Sequence, residues 1–122
     1  MKCKAGVMLT RDGKHVAPEI TGYAMPVADK ICAAFGVEPW ATSVMDGDHK
    51  AGSLHYRGRA FDLRVRDVVP ERRKAFRDAL RRALGPEYDV VLEPSHVHVE
   101  WDVKTTHLTM QQETKDGNKV AA

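Results

Sequence analysis

The residues of this 122-residue chain best suited to chemistry are histidines and carboxylates gathered in two short segments. The first segment spans residues 49–63 and the second spans residues 93–101. Their candidate residues are His49, His55 and Asp62 in the first segment and Glu93, His96, His98 and Glu100 in the second. Two imidazoles and one carboxylate form a three-ligand set that suits zinc and leaves a fourth position for water.

Such a site would favour amide hydrolysis. Zinc polarises a carbonyl group and lowers the pKa of a coordinated water to roughly 7. A nearby carboxylate could then accept the proton of the water and pass it to the leaving amine. A His-x-His pair on a strand is often incidental, so the residues alone are weak support for a metal site.

The second segment has the pattern of a strand in a β-hairpin. Residues 96–101 alternate between polar and apolar side chains, so a strand places the histidines and the glutamate on one face. Only residues 94–95 separate this strand from another predicted strand, residues 88–93, which is typical of a hairpin. Glu93 and His96 would then be cross-strand partners, and such partners share a face of the sheet.

The first segment has the pattern of a turn followed by a strand. Residues 60–66 alternate cleanly, which places Asp62 on the polar face of its strand. Gly58 permits a sharp turn, and this turn would bring His55 back towards Asp62. The two segments together therefore predict a polar site on one face of a sheet.

The other elements indicate an α+β fold in which helices flank an antiparallel sheet. We expect one domain over residues 1–103, because a chain of this length holds a single core. The hydrophobic pattern is lost after that, so residues 104–122 are predicted to form a flexible tail. The remaining predicted elements are helices over residues 26–35 and 70–84 and strands over residues 5–9 and 41–45.

Both segments resemble a known family. Residues 53–63 read SLHYRGRAFDL and resemble the S-x-H-x-x-G-x-A-x-D signature of the LAS zinc metallopeptidases, the superfamily of D-Ala-D-Ala carboxypeptidases and sonic hedgehog. Residues 96–98 resemble the second signature, H-x-H. The likeness is closest to the hedgehog amino-terminal domain, in which S-L-H-Y-x-G-R-A-x-D also occurs. The matching region, residues 42–101, covers about half of the chain.

The resemblance implies a hedgehog/DD-peptidase-like fold whose sheet carries one zinc ion per chain. By this resemblance the zinc ligands are His55, Asp62 and His98. The superfamily hydrolyses peptides, so the resemblance implies a metallopeptidase of bacterial peptidoglycan.

The resemblance also implies roles for the residues around the ligands. His96 would lie beside the metal and stabilise an oxyanion or transfer a proton. Glu93 would be the general base, although its spacing from His98 differs from that in some relatives and Glu100 stays the alternative. His49 matches a histidine of the hedgehog-like pattern and is a second candidate for contact with the transition state.

The substrate and the reaction type stay open between a D-Ala-D-Ala carboxypeptidase and an L,D- or D,D-endopeptidase. The carboxypeptidases use an upstream arginine to hold a substrate carboxylate, and this chain has no arginine between Arg11 and Arg57. An inactive zinc-binding module is an alternative function. A metal-dependent nuclease is disfavoured, because no Asn/His pair on a following helix accompanies the H-x-H strand.

Composition limits the partners. A net charge of +2 does not demand a polyanion, so we expect peptidoglycan stem peptides rather than nucleic acid as the partner, and a monomer. Two cysteines make a poor disulfide framework, and no apolar run is long enough for a helix that spans a membrane. The chain opens without a basic-then-apolar leader, which favours synthesis in the cytoplasm. A phage endolysin made in the host cytoplasm and acting on the wall after release fits this pattern, with a bacterial cytoplasmic dipeptidase as the alternative.

Overall fold

The computed structural model describes residues 1–103, so the predicted tail over residues 104–122 lies outside the described residues. Along residues 1–103, three short strands precede the first helix, two strands lie between the two helices and two follow the second helix. A π-helical turn and two 3₁₀ turns lie among these elements. The elements are β1 (Lys2–Cys3), β2 (Thr10–Arg11), β3 (Lys14–His15), α1 (Met25–Ala34), β4 (Trp40–Ser43), β5 (Ala60–Arg64), α2 (Arg73–Leu84), β6 (Tyr88–Leu92) and β7 (His96–Trp101).

The fold is α+β, as predicted. Five strands form a mostly antiparallel sheet in the order β1-β4-β5-β7-β6, and β2 and β3 form a separate antiparallel pair. The exception is β1, which pairs with β4 in parallel. The chain between these two strands contains α1, and a long connection of this kind is what parallel neighbours require.

The prediction of a strand over residues 5–9 is wrong. These residues form a turn and irregular chain, with Gly6 at a φ of +91°. Val7 packs against the core, whereas Met8 and Leu9 are exposed, so the apolar run does not alternate between two faces. The strand predicted over residues 41–45 is present as β4, which begins one residue earlier and ends two residues earlier.

The first helix begins earlier than its proline predicts. A π-helical turn, Ile20–Ala24, runs directly into α1, and the Met25 N–H donates to the Ile20 carbonyl five residues back. Pro26 lacks an N–H and would collide with a carbonyl in a regular α-helix, so the chain widens into this turn ahead of it. The second predicted helix is confirmed as a 3₁₀ turn, Pro70–Arg72, followed by α2.

One face of the sheet carries the hydrophobic core. In β7 the fully buried Val97 and Val99 alternate with partly exposed polar residues, as the sequence predicts, whereas β5 is buried on both faces from Ala60 to Leu63. Phe35 and Phe76 join the two helices with ring centroids 5.2 Å apart. Among residues 1–103, no helix is both long enough and apolar enough to cross a membrane. The core residues of these elements are Phe61, Leu63, Phe76, Leu80, Val97 and Val99.

Candidate metal centre

Three side chains, His55, Asp62 and His98, converge on the open side of the sheet. Asp62 Oδ1 lies 3.3 Å from His55 Nε2 and 3.0 Å from His98 Nδ1. The two imidazole nitrogens are 3.3 Å apart. One ligand atom from each residue lies within 4.8 Å of the other two, so this group could hold a metal ion. The structure thus brings together the three residues that the family resemblance implies as ligands.

Two antiparallel strands position Asp62 and His98. The residues are direct register partners on β5 and β7. Phe61 and Val99 point from the same strands into the core and are fully buried. Because successive residues of a strand point to opposite faces, burial of these neighbours directs Asp62 and His98 to the other face.

A short 3₁₀ turn, Leu54–Arg57, positions the third side chain, His55. The Ser53 hydroxyl accepts a hydrogen bond from the His55 N–H at 3.2 Å and caps the turn. The turn ends at Gly58, which has a φ of +70°. A Cβ atom at Gly58 would lie 2.7 Å from both the His15 oxygen and the Val16 Cα atom. Glycine is therefore required for the conformation and for the close approach of the β3 backbone.

The outer nitrogen of each histidine is hydrogen-bonded to an oxygen acceptor. His55 Nδ1 lies 2.6 Å from the Val44 carbonyl, and His98 Nε2 lies 2.8 Å from Glu100 Oε1. With protons on these outer nitrogens, both inner lone pairs and the Asp62 oxygen face one another. Three acceptors at this separation repel unless a cation lies between them. Outer hydrogen bonds of this kind are typical of metal-ligating histidines, so the donor set fits zinc.

Charge in the site is tightly coupled. Burial raises the pKa of the Asp62 carboxyl, but hydrogen bonds to His55 and His98 outweigh it and hold the pKa well below its usual range. The hydrogen bond to Asp62 raises the pKa of His98, against a lowering by burial, and Glu100 adds to the rise, which reaches about 9. The metal-free site therefore keeps a proton where a cation would bind, and the two compete.

His96 lies beside the three ligands. Its Nε2 atom is 3.7 Å from the second Asp62 oxygen, Oδ2. Its Nδ1 atom is 3.0 Å from the Ser95 hydroxyl. The side chain is 28% exposed, compared with 3% for His55, so it is open to an incoming molecule. His96 therefore lies next to the candidate metal-binding residues, and its role in a reaction stays a prediction.

His49 supports His55. The two rings stack with centroids 3.9 Å apart and an interplanar angle of 4°. His49 Nε2 lies 2.9 Å from the Asp46 carbonyl and 3.4 Å from the Ser43 hydroxyl. The Tyr56 hydroxyl accepts from the His49 N–H and donates to the His49 carbonyl at 2.8 Å, which closes the loop between the two histidines. A contact between His49 and the transition state stays a prediction.

The two candidate bases occupy different environments. The Glu93 N–H donates to the His96 carbonyl at 2.8 Å, which extends the register of β6 and β7 and confirms the predicted cross-strand placement. The Glu93 residue is exposed. The Glu100 carboxylate is hydrogen-bonded to His98 Nε2. The sequence indicates Glu100 only as an alternative base, and its contact with the outer nitrogen of His98 is seen only in the structure.

A cleft of about 900 Å³ contains the site. Its basic side includes Arg59, whose guanidinium lies 4.4 Å from the centroid of the Trp101 ring. A volume of this size is within the usual range of ligand-binding clefts. The residues that contribute charge or imidazole to its lining are His49, Lys50, His55, Arg57, Arg59, Asp62, Glu93, His96, His98, Glu100 and Asp102.

A second carboxylate group, which the sequence motifs do not single out, lies next to the centre. Asp89, Glu100 and Asp102 each place an oxygen within 4.8 Å of the others. Burial, followed by the charges of Glu100 and Asp102, raises the pKa of Asp89. The signal for the pairing of Asp89 with Glu100 was present in the hairpin register, since these residues are opposite each other on β6 and β7.

Comparisons of the chain with protein-family models, with curated proteins and with solved structures gave no significant match. The family resemblance therefore rests on the residues of the two motifs.

Proposed function

We propose that this protein is a zinc metallopeptidase that hydrolyses amide bonds in bacterial peptidoglycan peptides, with one zinc ion per chain. The observation that carries the proposal is the convergence of His55 Nε2, His98 Nδ1 and Asp62 Oδ1, with both outer imidazole nitrogens hydrogen-bonded. The α+β fold and the mostly antiparallel sheet are compatible with a hedgehog/DD-peptidase-like domain.

The residues that would hold the ion are His55, Asp62 and His98. When bound, zinc would act as a Lewis acid towards the scissile carbonyl and as an activator of water. Val44 and Glu100 fix the orientation of the two imidazoles. Because these contacts are formed within the protein, the ligands need little rearrangement to bind the ion.

Three further side chains are assigned to the reaction. Glu93 accepts the proton of the attacking water and returns it to the leaving amine, because Glu100 is held by His98 and Glu93 is exposed at the cleft. His96 donates a hydrogen bond to the charge that develops on the carbonyl oxygen. His49, stacked on His55, keeps the ligand ring in place and is the second candidate for contact with the transition state.

The substrate assignment follows from the motifs. SLHYRGRAFDL and HVH resemble signatures of peptidases that act on D-Ala-D-Ala peptides, and a cleft of about 900 Å³ is large enough for a short peptide segment. Carboxypeptidase and endopeptidase action both fit this arrangement. An endolysin-like monomer that is made in the cytoplasm and reaches the wall after release is the biological setting that we propose.

Mass spectrometry of muropeptides after digestion tests the proposal. The zinc-loaded protein should release products whose masses correspond to cleavage of one stem or cross-bridge amide bond. Both a chelator and His98→Ala should abolish these products. His15→Ala changes an exposed histidine outside the site and should leave them unchanged. An unchanged muropeptide pattern with fully zinc-loaded protein would contradict the proposed activity.

A further inference from the structure

A second cleft of about 780 Å³ lies next to the metal centre, and its charged lining is mainly cationic. Asp62 lines both clefts, so the two are contiguous at the ligand set. The side chains that give the second cleft its character are Lys4, Trp40, Arg64, Arg66 and Arg73. Four cations therefore surround one depression beside the proposed site of hydrolysis.

The side chain of Arg64 is fixed by its neighbours close to Asp62, where the two clefts meet. It follows Asp62 by two residues on β5, which places it on the same face about 7 Å further along the strand. Its guanidinium lies 5.0 Å from the centroid of the Trp40 ring, and one nitrogen contacts Asp67 Oδ2 at 2.5 Å. Its Nε atom is buried and has no hydrogen-bond partner among residues 1–103. A stacked arginine of this kind is already ordered before a ligand arrives.

The other three cations are not neutralised by neighbouring carboxylates. Arg73 donates through Nε to the Val68 carbonyl at 2.8 Å. This contact orders the side chain, but the carbonyl is neutral and does not cancel the positive charge. Within the described chain, neither Lys4 nor Arg66 forms an ion pair, and both are exposed. Asp62 and Asp67 supply two carboxylates against four cations and offset only part of the positive charge, so an anionic occupant is favoured.

We infer that this cleft binds an acidic segment, with more than one carboxylate, of the same peptide that is cut at the metal centre. The inference rests on the proposed function and names the class of its substrate. Contiguity through Asp62 favours a part of the substrate over an independent ligand. The size of the cleft and its four cations favour a segment over a single carboxylate.

The test compares two stem peptides with the same sequence, one with free carboxylates and one with every carboxylate amidated. Titration of zinc-free protein by calorimetry measures binding, and kcat/KM of the zinc-loaded protein measures cleavage. The free peptide should bind more tightly, and the difference should shrink as salt is added. The double variant Lys4→Gln/Arg66→Gln should lose roughly three- to thirtyfold in affinity for the free peptide only.

The matched control is Lys74→Gln/Arg82→Gln, which removes the same charge from exposed positions on α2, outside the cleft. It should leave the affinity unchanged. Equal affinity for the two peptides would overturn the inference, and so would an equal loss of affinity in the two double variants. Binding of a phosphate polymer in place of the peptide would also overturn it. Cleavage of both peptides with the same kcat/KM would refute only the inference. Selective binding of the free peptide without any cleavage would refute only the peptidase activity.

Discussion

His98 Nε2 and Glu100 Oε1 are 2.8 Å apart, although the two residues belong to the same strand. Alternation along β7 places positions 98 and 100 on one face, where a glutamate is long enough to reach back to the imidazole. The contact turns His98 Nδ1 towards Asp62. Glu100 is therefore placed to orient His98 within the candidate metal centre.

Glu100→Gln should weaken zinc binding by ~10–100-fold, the usual cost of losing the outer partner of a ligating histidine. The amide keeps the shape of the side chain but removes the charge that favours the Nδ1 lone pair facing inward. Competition with a chromogenic chelator measures the affinity. Glu87→Gln removes a carboxylate that accepts a hydrogen bond from Trp101 rather than from His98 and should have a much smaller effect. An unchanged affinity in Glu100→Gln would show that Glu100 does not orient the ligand.

Glu93→Gln should keep the zinc content and lower kcat by ~10²–10⁴-fold, the contribution expected of a general base. The acidic limb of the pH–rate profile should also change in this variant. Steady-state cleavage of a muropeptide, with zinc measured on the same sample, checks both parts. Full activity in Glu93→Gln, together with zinc-loaded but inactive Glu100→Gln, would transfer the role to Glu100. Full activity in both variants would move it to His96 or His49.

Gly58→Ala should destabilise the protein by about 2–4 kcal/mol, because strain at a positive φ adds to a backbone collision. The new Cβ atom would lie 2.7 Å from the His15 oxygen. Thermal unfolding measures the change. Gly36→Ala is the matched control: its φ is +73°, but nothing lies within 4 Å of a Cβ atom there. Gly36→Ala should lower the free energy of unfolding only by the backbone strain of a positive φ, about 1–2 kcal/mol. Equal losses in the two variants would contradict the close packing of β3 on the turn.

The two cysteines should react at very different rates with a thiol reagent. Cys3 is exposed, whereas Cys32 is fully buried in α1. Burial, with a further contribution from Asp29, raises the pKa of the Cys32 thiol to about 11, so little thiolate is present at neutral pH. In Cys3→Ser, labelling should require denaturant. Rapid labelling of native Cys3→Ser would show that α1 does not pack as described.

Alternation and register account for the parts of the site that could be predicted from sequence. The pattern in residues 96–101 places His98 and Glu100 on one face, and the two-residue connection pairs Glu93 with His96. Both inferences need only the period of a strand and a short loop. The family motif adds the choice of His98 over His96 as the ligand.

Other features of the site leave no pattern in the sequence. The acceptor for His55 Nδ1 is the Val44 carbonyl, and a backbone group carries no side-chain signal. The stacking of His49 on His55 depends on a loop closed by Tyr56. Strand β1 has only two residues, which is too short for alternation to be detected.

Zinc stoichiometry is the most direct test of the central claim, that His55, Asp62 and His98 form a metal centre. Elemental analysis of the purified, zinc-reconstituted protein should find one zinc ion per chain. His98→Ala should lose the metal, while His96→Ala should keep it and lose activity. Absence of zinc from the reconstituted wild-type protein would contradict the account, and loss of zinc from His96→Ala but not from His98→Ala would reverse the assignment of the ligand.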